Sequence, residues 1–335
     1  MMELQDLLKK LTAAFGPSGC EGEVRGVIEE LIAPYVDECT TDTLGNLIAH
    51  KKGPGKKLMF SAHMDSIGMI VTHVEKEGFL RFGSLGWLPA LDIRRQSVVF
   101  QNGLRGTISL PEDKEEDKEI KQDDLCIDIG AGSREEALAL VKLGDACVYD
   151  APTYIQNGKI FSKYLDNRSG CAALIAGLAQ IQNPANDLWF VFSTQEEVGL
   201  RGAKPAAYGV DPDVGIAVDV TMSDDLLGAQ HNCSSVLGKG PGVKVMDSSV
   251  ICQPEVVAWM NQVAQDKGIA VQQDIMRSGG TDAGAILPSR SGVYAGGICI
   301  PCRYTHSPVE VCDLDDIEAS GRLVAALAES EFSVQ

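Results

Sequence analysis

Short apolar runs recur along the chain, and an Asp, Glu or His follows each of them. Residues 57–61, 188–192 and 214–218 are almost continuously apolar, which is typical of strands buried on both faces of a parallel sheet. Stretches with helical spacing lie around these runs, at 3–14, 21–31, 171–182, 255–267 and 313–330. This alternation predicts an α/β fold with a mostly parallel central sheet flanked by helices.

The hydrophobic pattern changes between residues 66 and 160. Short alternating runs separated by glycines and prolines replace the long apolar runs, and only 135–143 has a helical pattern. We interpret 66–160 as a small β-rich domain inserted into a larger α/β domain made of residues 1–65 and 161–335. Its charged stretch at 112–124 predicts a solvated loop without chemistry. A length of 335 residues also favours one large and one smaller domain.

Two of the buried strands end in candidate catalytic groups. His63 and Asp65 follow the strand at 57–61 and are two residues apart, so an extended backbone places them on one face. Asp65 can then orient the imidazole of His63 for metal binding. Glu196 and Glu197 follow the strand at 188–192, and on an extended backbone they face opposite sides. One carboxylate can bind a metal ion while the other holds a water beside it.

Three further residues occupy comparable places. Asp219 directly follows the strand at 214–218, Asp166 lies at the start of a helix, and His306 follows the last strand. Two histidines with Asp and Glu ligands suit zinc, cobalt or manganese, and such thiolate-free sites are typically catalytic, with a position left for water. A carboxylate that is not a ligand can act as general base on that water.

Composition excludes several classes of partner. The net charge of −18 argues against nucleic acid and anionic membranes as partners. We expect neither a signal peptide nor a membrane span, because the amphipathic N-terminal stretch lacks a long apolar run. Ten scattered cysteines predict reduced, mostly buried thiols in a cytoplasmic protein. Cys299 and Cys302 form a C-x-x-C without a second pair, so a redox or structural zinc role is only an alternative.

Several segments resemble the M42 family of dinuclear metallo-aminopeptidases, which are co-catalytic zinc peptidases. The similar segments span nearly the whole chain: AHMDSIG (62–68), LDNRSG (165–170), STQEEVGLRGA (193–203), AVDVT (217–221), SGGTDAG (278–284) and THSPVE (305–310). The chain departs from the family pattern in two places, at Ser66 after H-x-D and at residues 222–224 after the AVDVT segment. Neither departure affects an expected ligand.

The resemblance implies a role for each candidate residue. It implies two divalent metal ions per chain, zinc or cobalt before manganese, with Asp166 bridging them. His63 and Asp219 complete one site, and Glu197 and His306 complete the other. It also implies that Glu196 is the general base and that Asp65 orients His63. The loop that contains Gly280, Thr281 and Asp282 enters a helix and supplies candidate substrate-binding residues.

The expected function is a metal-dependent aminopeptidase that removes N-terminal residues from short peptides. The alternatives are a deacylase or carboxypeptidase on the same metal core, a glycoside hydrolase of endoglucanase type using two carboxylates, and a non-enzymatic metal-binding protein. Arg277 lies next to the loop that contains Gly280 and suggests a preference for substrates with an acidic first residue. The alternative is that Arg277 is an exposed loop residue without a role in substrate binding. The resemblance further implies that the inserted domain mediates dimers, and that dimers assemble into a hollow tetrahedral dodecamer.

Overall fold

The computed structural model describes residues 2–114 and 120–333, so the stretch at 112–124 lies partly outside it. Seventeen strands and nine α-helices lie in these ranges. Eleven strands form one sheet: β1 (Glu38–Thr41), β2 (Leu47–Lys51), β3 (Lys57–His63), β10 (Tyr154–Gln156), β11 (Lys159–Ser162), β12 (Asp187–Ser193), β13 (Val214–Met222), β14 (Gly242–Met246), β15 (Gln272–Ile275), β16 (Tyr294–Arg303) and β17 (Glu310–Asp313).

The centre of this sheet is parallel, as the apolar runs predicted. β12, β3, β13 and β16 lie side by side and run in the same direction. Antiparallel strands extend both sides, with β2 and β1 beyond β12 and with β17, β11 and β10 beyond β16. β14 branches from β16 and pairs with β15. The α/β class is therefore confirmed, with a mixed sheet around a parallel core.

Helices cover both faces of the large sheet. These helices are α1 (Leu4–Ala13), α2 (Gly22–Ile32), α5 (Leu165–Leu178), α6 (Ala203–Val210), α7 (Pro254–Asp266), α8 (Ala283–Ile286) and α9 (Leu314–Ala328), whereas α3 (Ala90–Ile93) and α4 (Arg134–Leu140) belong to the inserted domain. Along β3, Leu58 and Phe60 join the core under α1, α5 and α9, whereas Met59 joins the smaller core under α6 and α8. This alternation follows from the pleat of the strand.

Helix α5 packs closely against α9 because small residues lie where the two helices meet. A Cβ added at Gly177 would lie 2.7 Å from the carbonyl oxygen of Gly321 in α9. Glycine at this position therefore lets the two helix backbones pack tightly. Nearly every residue of α5 is buried, so its N-terminal turn has a fixed place beside the sheet.

The inserted domain is a closed barrel, but it ends earlier than expected. Its strands are β4 (Gly68–Val74), β5 (Leu80–Leu85), β6 (Ser97–Phe100), β7 (Arg105–Ser109), β8 (Cys126–Asp128) and β9 (Ala146–Tyr149). β10 and β11 belong to the large sheet, where β11 pairs with β17. The inserted domain therefore ends soon after Tyr149 and not at residue 160. The sequence could not show this, because the pattern of a short strand does not reveal which strand it pairs with.

All ten cysteines are free thiols, and most are buried. Cys299 and Cys302 both lie on β16, where residues an odd number apart point to opposite faces. The C-x-x-C pair is thus not arranged to bind one ion or to form a disulfide. No helix within 2–114 and 120–333 is both long and apolar enough to cross a membrane.

Candidate metal centre

The register of the parallel strands brings His63 and Asp219 to one place. His63 ends β3 and pairs with Ser193 at the end of β12. On the other side of β3, Ser61 pairs with Ala217 of β13, and His63 and Asp219 each lie two residues further on. Because side chains alternate along a strand, both residues lie on the same face. Both are buried, at the carboxyl edge where open α/β sheets bind ligands.

Asp166 reaches this edge from the first turn of α5. Its backbone is not helical, with ψ at 106°, and the peptide bond to Asn167 is cis. The Asn167 amide donates to the carbonyl oxygen of Val218 (2.8 Å), and its own oxygen accepts from the N–H of Gly170 (3.0 Å). These bonds hold the turn against β13 and place Asp166 beside His63.

The carboxylate of Asp166 lies between two imidazoles. Its Oδ1 is 3.0 Å from Nε2 of His63, and its Oδ2 is 3.3 Å from Nε2 of His306. On the first side, Asp219 Oδ1 is 3.4 Å from the same His63 nitrogen. On the second side, Glu197 Oε2 is 3.3 Å from the same His306 nitrogen. The five side chains thus form two groups that share one carboxylate.

The side chains of Glu196 and Glu197 point in different directions, but the cause is not the extended backbone expected from the sequence. They lie past the end of β12, in a loop where Gln195 has a φ of +54°. The carboxylate of Asp65 accepts both of their backbone N–H groups, at 3.0 and 3.3 Å. Glu197 then points to the second group, whereas Glu196 Oε2 lies 3.9 Å from His63 Nε2, the longest of these separations.

Asp65 therefore contacts more than the predicted imidazole. His63 Nδ1 is 3.1 Å from the backbone carbonyl oxygen of Asp65 and 3.5 Å from its carboxylate. The carboxylate also accepts from the hydroxyl of Ser18 at 2.6 Å. Nearby, Glu21 accepts from the N–H of Gln195 at 3.2 Å. The segment that contains Ser18 and Glu21 thus supports the glutamate loop, and sequence reasoning assigned neither residue a role.

Two further residues that sequence reasoning missed position His306. Buried Glu310 accepts from the backbone N–H of His306 (2.8 Å) with one oxygen and from that of Asp166 (2.9 Å) with the other. The signal was an acid four residues after His306, followed directly by the apolar residues Val311 and Cys312. Trp87, in the inserted domain, offers its carbonyl oxygen 2.9 Å from His306 Nδ1. The inserted domain thus contributes directly to the site.

Burial makes three acids of this cluster hard to ionise, whereas for Asp166 the hydrogen bonds from His306 and His63 outweigh burial and lower its pKa. Burial raises the pKa of Glu197 to about 8 and that of Asp219 to about 6, and it raises the pKa of Glu196 well above its usual range. Burial opposes charge on His63 and His306 too, but the surrounding carboxylates raise the pKa of both imidazoles. The carboxylates thus favour protonated imidazoles in the metal-free protein.

The donor atoms of the cluster suit a divalent cation. Within the described part of the chain, two groups of three have donor atoms close enough to hold an ion: His63 with Glu196 and Asp219, and His63 with Asp166 and Glu197. One oxygen of Glu197, Oε1, is buried without a hydrogen-bond partner. Imidazole and carboxylate donors are those of catalytic zinc, cobalt and manganese sites.

The cluster opens into a cavity of about 580 Å³. Gly280 lines this cavity. Thr281 and Asp282 are each 1% exposed and are not part of the lining. The Asp282 carboxylate accepts from the hydroxyls of Ser61 and Ser193 beneath the sheet edge. Thr281 and Asp282 therefore do not face the cavity, contrary to the expectation from sequence, because the loop turns inward after Gly280.

The fold and the site define an α/β enzyme with a centre able to hold metal at the carboxyl edge of its sheet. Residues 45–323 match the family described as M42 glutamyl aminopeptidase. A lysyl aminopeptidase of Pyrococcus furiosus is 35% identical over 338 residues, covering 97% of this chain and 96% of its own length.

Solved structures agree with this match. An aminopeptidase from the archaeon Desulfurococcus kamchatkensis superposes with a TM-score of 0.94 at 36% identity, covering 98% of this chain and 95% of the other. The TET1 peptidase of Pyrococcus horikoshii, described as able to form a tetrahedron or a large octahedral shell, gives 0.87 at 33% identity, with 97% and 99% covered. The chain belongs to the M42 family of aminopeptidases, hydrolases that act on peptide bonds.

Proposed function

We propose that the protein is a dinuclear metal-dependent aminopeptidase that removes N-terminal residues from short peptides. The observation that carries this proposal is the position of Asp166, whose two oxygens each face a different imidazole. Asp166 would bridge the two ions. His63 and Asp219 would complete one site, and Glu197 and His306 would complete the other.

Two divalent ions match the charge of this cluster. With neutral imidazoles, the carboxylates of Asp166, Asp219, Glu196 and Glu197 sum to four negative charges, which two divalent cations cancel. When bound, such ions polarise a carbonyl group and lower the pKa of a bound water to about 7. The donor set favours zinc or cobalt, with manganese as a further possibility.

Glu196 is the proposed general base. Its carboxylate lies near enough to join an ion held by His63 and Asp219, but its separation of 3.9 Å from His63 Nε2 is the longest in the cluster, so we assign it to the water rather than to the metal. Burial raises its pKa, which suits a carboxylate that must take a proton near neutral pH. Glu196 takes the proton from the attacking water and delivers it to the departing amine. The Asp65 carboxylate holds its backbone N–H and thereby fixes its place.

Removal of metal and of the shared ligand tests this function. Exhaustive chelation should abolish cleavage of aminoacyl-chromophore substrates, and zinc, cobalt or manganese should restore it. Asp166→Ala should lose more metal than His63→Ala or His306→Ala, because both ions share Asp166. Asp187→Asn is a matched control, since Asp187 contacts His50 at 2.7 Å near the opposite end of β12. Full activity after chelation would refute the proposal.

We also propose that the inserted barrel mediates dimers, and that dimers build a tetrahedral dodecamer. The related TET1 peptidase of Pyrococcus horikoshii is described as able to form a tetrahedron or a large octahedral shell. In this chain, Leu138, Leu140 and Leu143 on the barrel are 45%, 44% and 61% exposed. An apolar group of this kind suits a buried interface. The proposed shell would admit short peptides and exclude folded proteins.

Light scattering tests the assembly. Leu140→Glu should lower the mass of the particle, whereas Leu44→Glu should not, because Leu44 is equally exposed (43%) but lies on the α/β domain. A wild-type protein that is a stable and fully active monomer would contradict the assembly.

A further inference from the structure

The segment between α1 and α2 lies directly against the strand end that carries His63. Residues 16–18 run beside residues 64–66, where Ser66 forms a hydrogen bond in each direction. Its N–H donates to the carbonyl oxygen of Gly16 (3.0 Å), and its carbonyl oxygen accepts from the N–H of Ser18 (3.1 Å). This pairing fixes the backbone of Ser18 beside the metal centre.

A buried guanidinium group holds the same segment from the other side. Arg168 is 0% exposed, and it donates to the carbonyl oxygens of Leu11 (2.6 Å), Ala14 (3.1 Å) and Gly16 (3.3 Å). These carbonyl groups lie at and just after the end of α1, where a helix leaves its acceptors unpaired and favours a positive charge. Arg168 comes two residues after Asp166, so the segment is anchored to the turn that carries Asp166.

The hydroxyl of Ser18 bonds the carboxylate of Asp65. It donates to Oδ2 at 2.6 Å, a length typical of a hydroxyl bound to an ionised carboxylate. Ser18 and Asp65 are 5% and 0% exposed, so water does not compete for this bond. The Asp65 carboxylate lies farther from His63 Nδ1, at 3.5 Å, and that nitrogen is closer to the backbone carbonyl oxygen of Asp65, at 3.1 Å. Ser18 therefore orients this carboxylate more directly than the imidazole does.

The loop that contains Glu196 and Glu197 depends on the same carboxylate. Oδ1 of Asp65 accepts from the N–H of Glu196 at 3.0 Å, and Oδ2 accepts from that of Glu197 at 3.3 Å. The segment also contacts this loop directly, because buried Glu21 accepts from the N–H of Gln195 at 3.2 Å. A change at Ser18 is thus passed to the loop through Asp65.

The two glutamates differ in what else can hold them. A metal ion bound to Glu197 would keep that side chain in place, whereas the proposed base Glu196 is placed through its backbone. A general base must lie within hydrogen-bonding reach of the proton that it takes. The effect of a displaced loop at saturating metal should therefore fall mainly on Glu196.

We propose that Ser18 is a positioning residue for the reaction, because its hydroxyl fixes the Asp65 carboxylate and thereby places Glu196. This inference rests on the proposed aminopeptidase function. Ser18 precedes the stretch 45–323 that matches the family, so the match does not assign it a role.

Ser18→Ala, assayed at saturating metal, tests this role. We expect kcat to fall about 10–100-fold, because a displacement of about 1 Å is enough for a loss of this size. KM should stay within about 3-fold of the wild-type value, since ground-state binding is not changed. Elemental analysis should still find two metal ions per chain. Ser18→Thr keeps the hydroxyl and should recover most of kcat.

Ser66→Ala is the matched control. The Ser66 hydroxyl is buried and donates to the carbonyl oxygen of Gly16 at 3.4 Å, so it contacts the same segment without contacting the Asp65 carboxylate. This variant should keep the wild-type kcat. An equal loss in Ser66→Ala and Ser18→Ala would overturn the inference, because it would assign the effect to the segment as a whole.

A double variant tests whether Ser18 acts through Glu196. In the Glu196→Gln background the base is already absent, so Ser18→Ala should lower the residual kcat by less than about 3-fold. Full additivity of the two losses would overturn the inference, as would a wild-type kcat in Ser18→Ala. If Ser18→Ala does not fold, Ser18→Cys decides, because a thiol is a weaker donor and should give a reduced kcat. A wild-type kcat in Ser18→Cys would then overturn the inference. A wild-type protein that cleaves no aminoacyl amide would instead contradict the aminopeptidase function itself.

Discussion

Glu310→Gln tests whether one buried carboxylate holds both halves of the metal centre. Glu310 is 1% exposed, and its two oxygens accept from the backbone N–H groups of Asp166 and His306 at 2.9 and 2.8 Å. Glutamine has the same shape but only one oxygen, so its amide nitrogen must face one of these N–H donors. The backbone of either Asp166 or His306 then moves away.

The expected loss follows from that one contact. A hydrogen bond to a charged group contributes about 1.5–3 kcal/mol. We therefore expect the weaker metal site to lose roughly 10–100-fold in affinity, as for other groups that orient metal ligands. The kcat/KM measured at limiting metal should fall by a similar factor and should recover as metal is added.

A titration of metal-free protein, followed by activity, measures this effect. Asp313→Asn is the matched control at the other end of β17, where Asp313 contacts Lys159 and the N–H of Asp315 rather than the cluster. The control should leave the metal affinity unchanged. A Glu310→Gln variant with wild-type affinity and wild-type activity at limiting metal would refute this role of Glu310.

Two further predictions concern the cluster itself. Glu196→Gln should keep both metals but lower kcat by about two to four orders of magnitude. Glu197→Gln should instead lose metal from one site. If metal analysis gave the reverse pattern, the roles of the two residues would be exchanged. The carboxylates raise the pKa of His63 and His306 in the metal-free protein, so a binding metal ion must displace protons from these imidazoles. The affinity of the protein for metal should therefore rise with pH. Calorimetry in buffers of different ionisation enthalpy should detect proton release, and its absence would contradict this protonation.

The parts of the site that depend on strand register could be predicted from sequence. His63 and Asp219 follow buried strands, and parallel pairing brings such positions to one edge. Asp166 was expected near a helix start, and the structure places it in the first turn of α5. In these cases local pattern and sheet geometry together fix the position of the side chain.

The supporting contacts could not be predicted, because they join loops that are distant in sequence. Glu310 reaches Asp166 across 144 positions, and Trp87 reaches His306 across 219. No periodicity relates such residues. The end of the inserted domain could not be predicted for the same reason. The sequence pattern of β11 resembles that of a barrel strand, and only its pairing with β17 shows that it belongs to the large sheet.

The position of bound metal tests the central claim most directly. Crystals of the protein soaked in zinc, measured at the zinc absorption edge, should give two anomalous peaks on opposite sides of the Asp166 carboxylate. One peak should lie next to His63 and Asp219, and the other next to Glu197 and His306. A single peak, or peaks that do not share Asp166, would contradict the dinuclear centre.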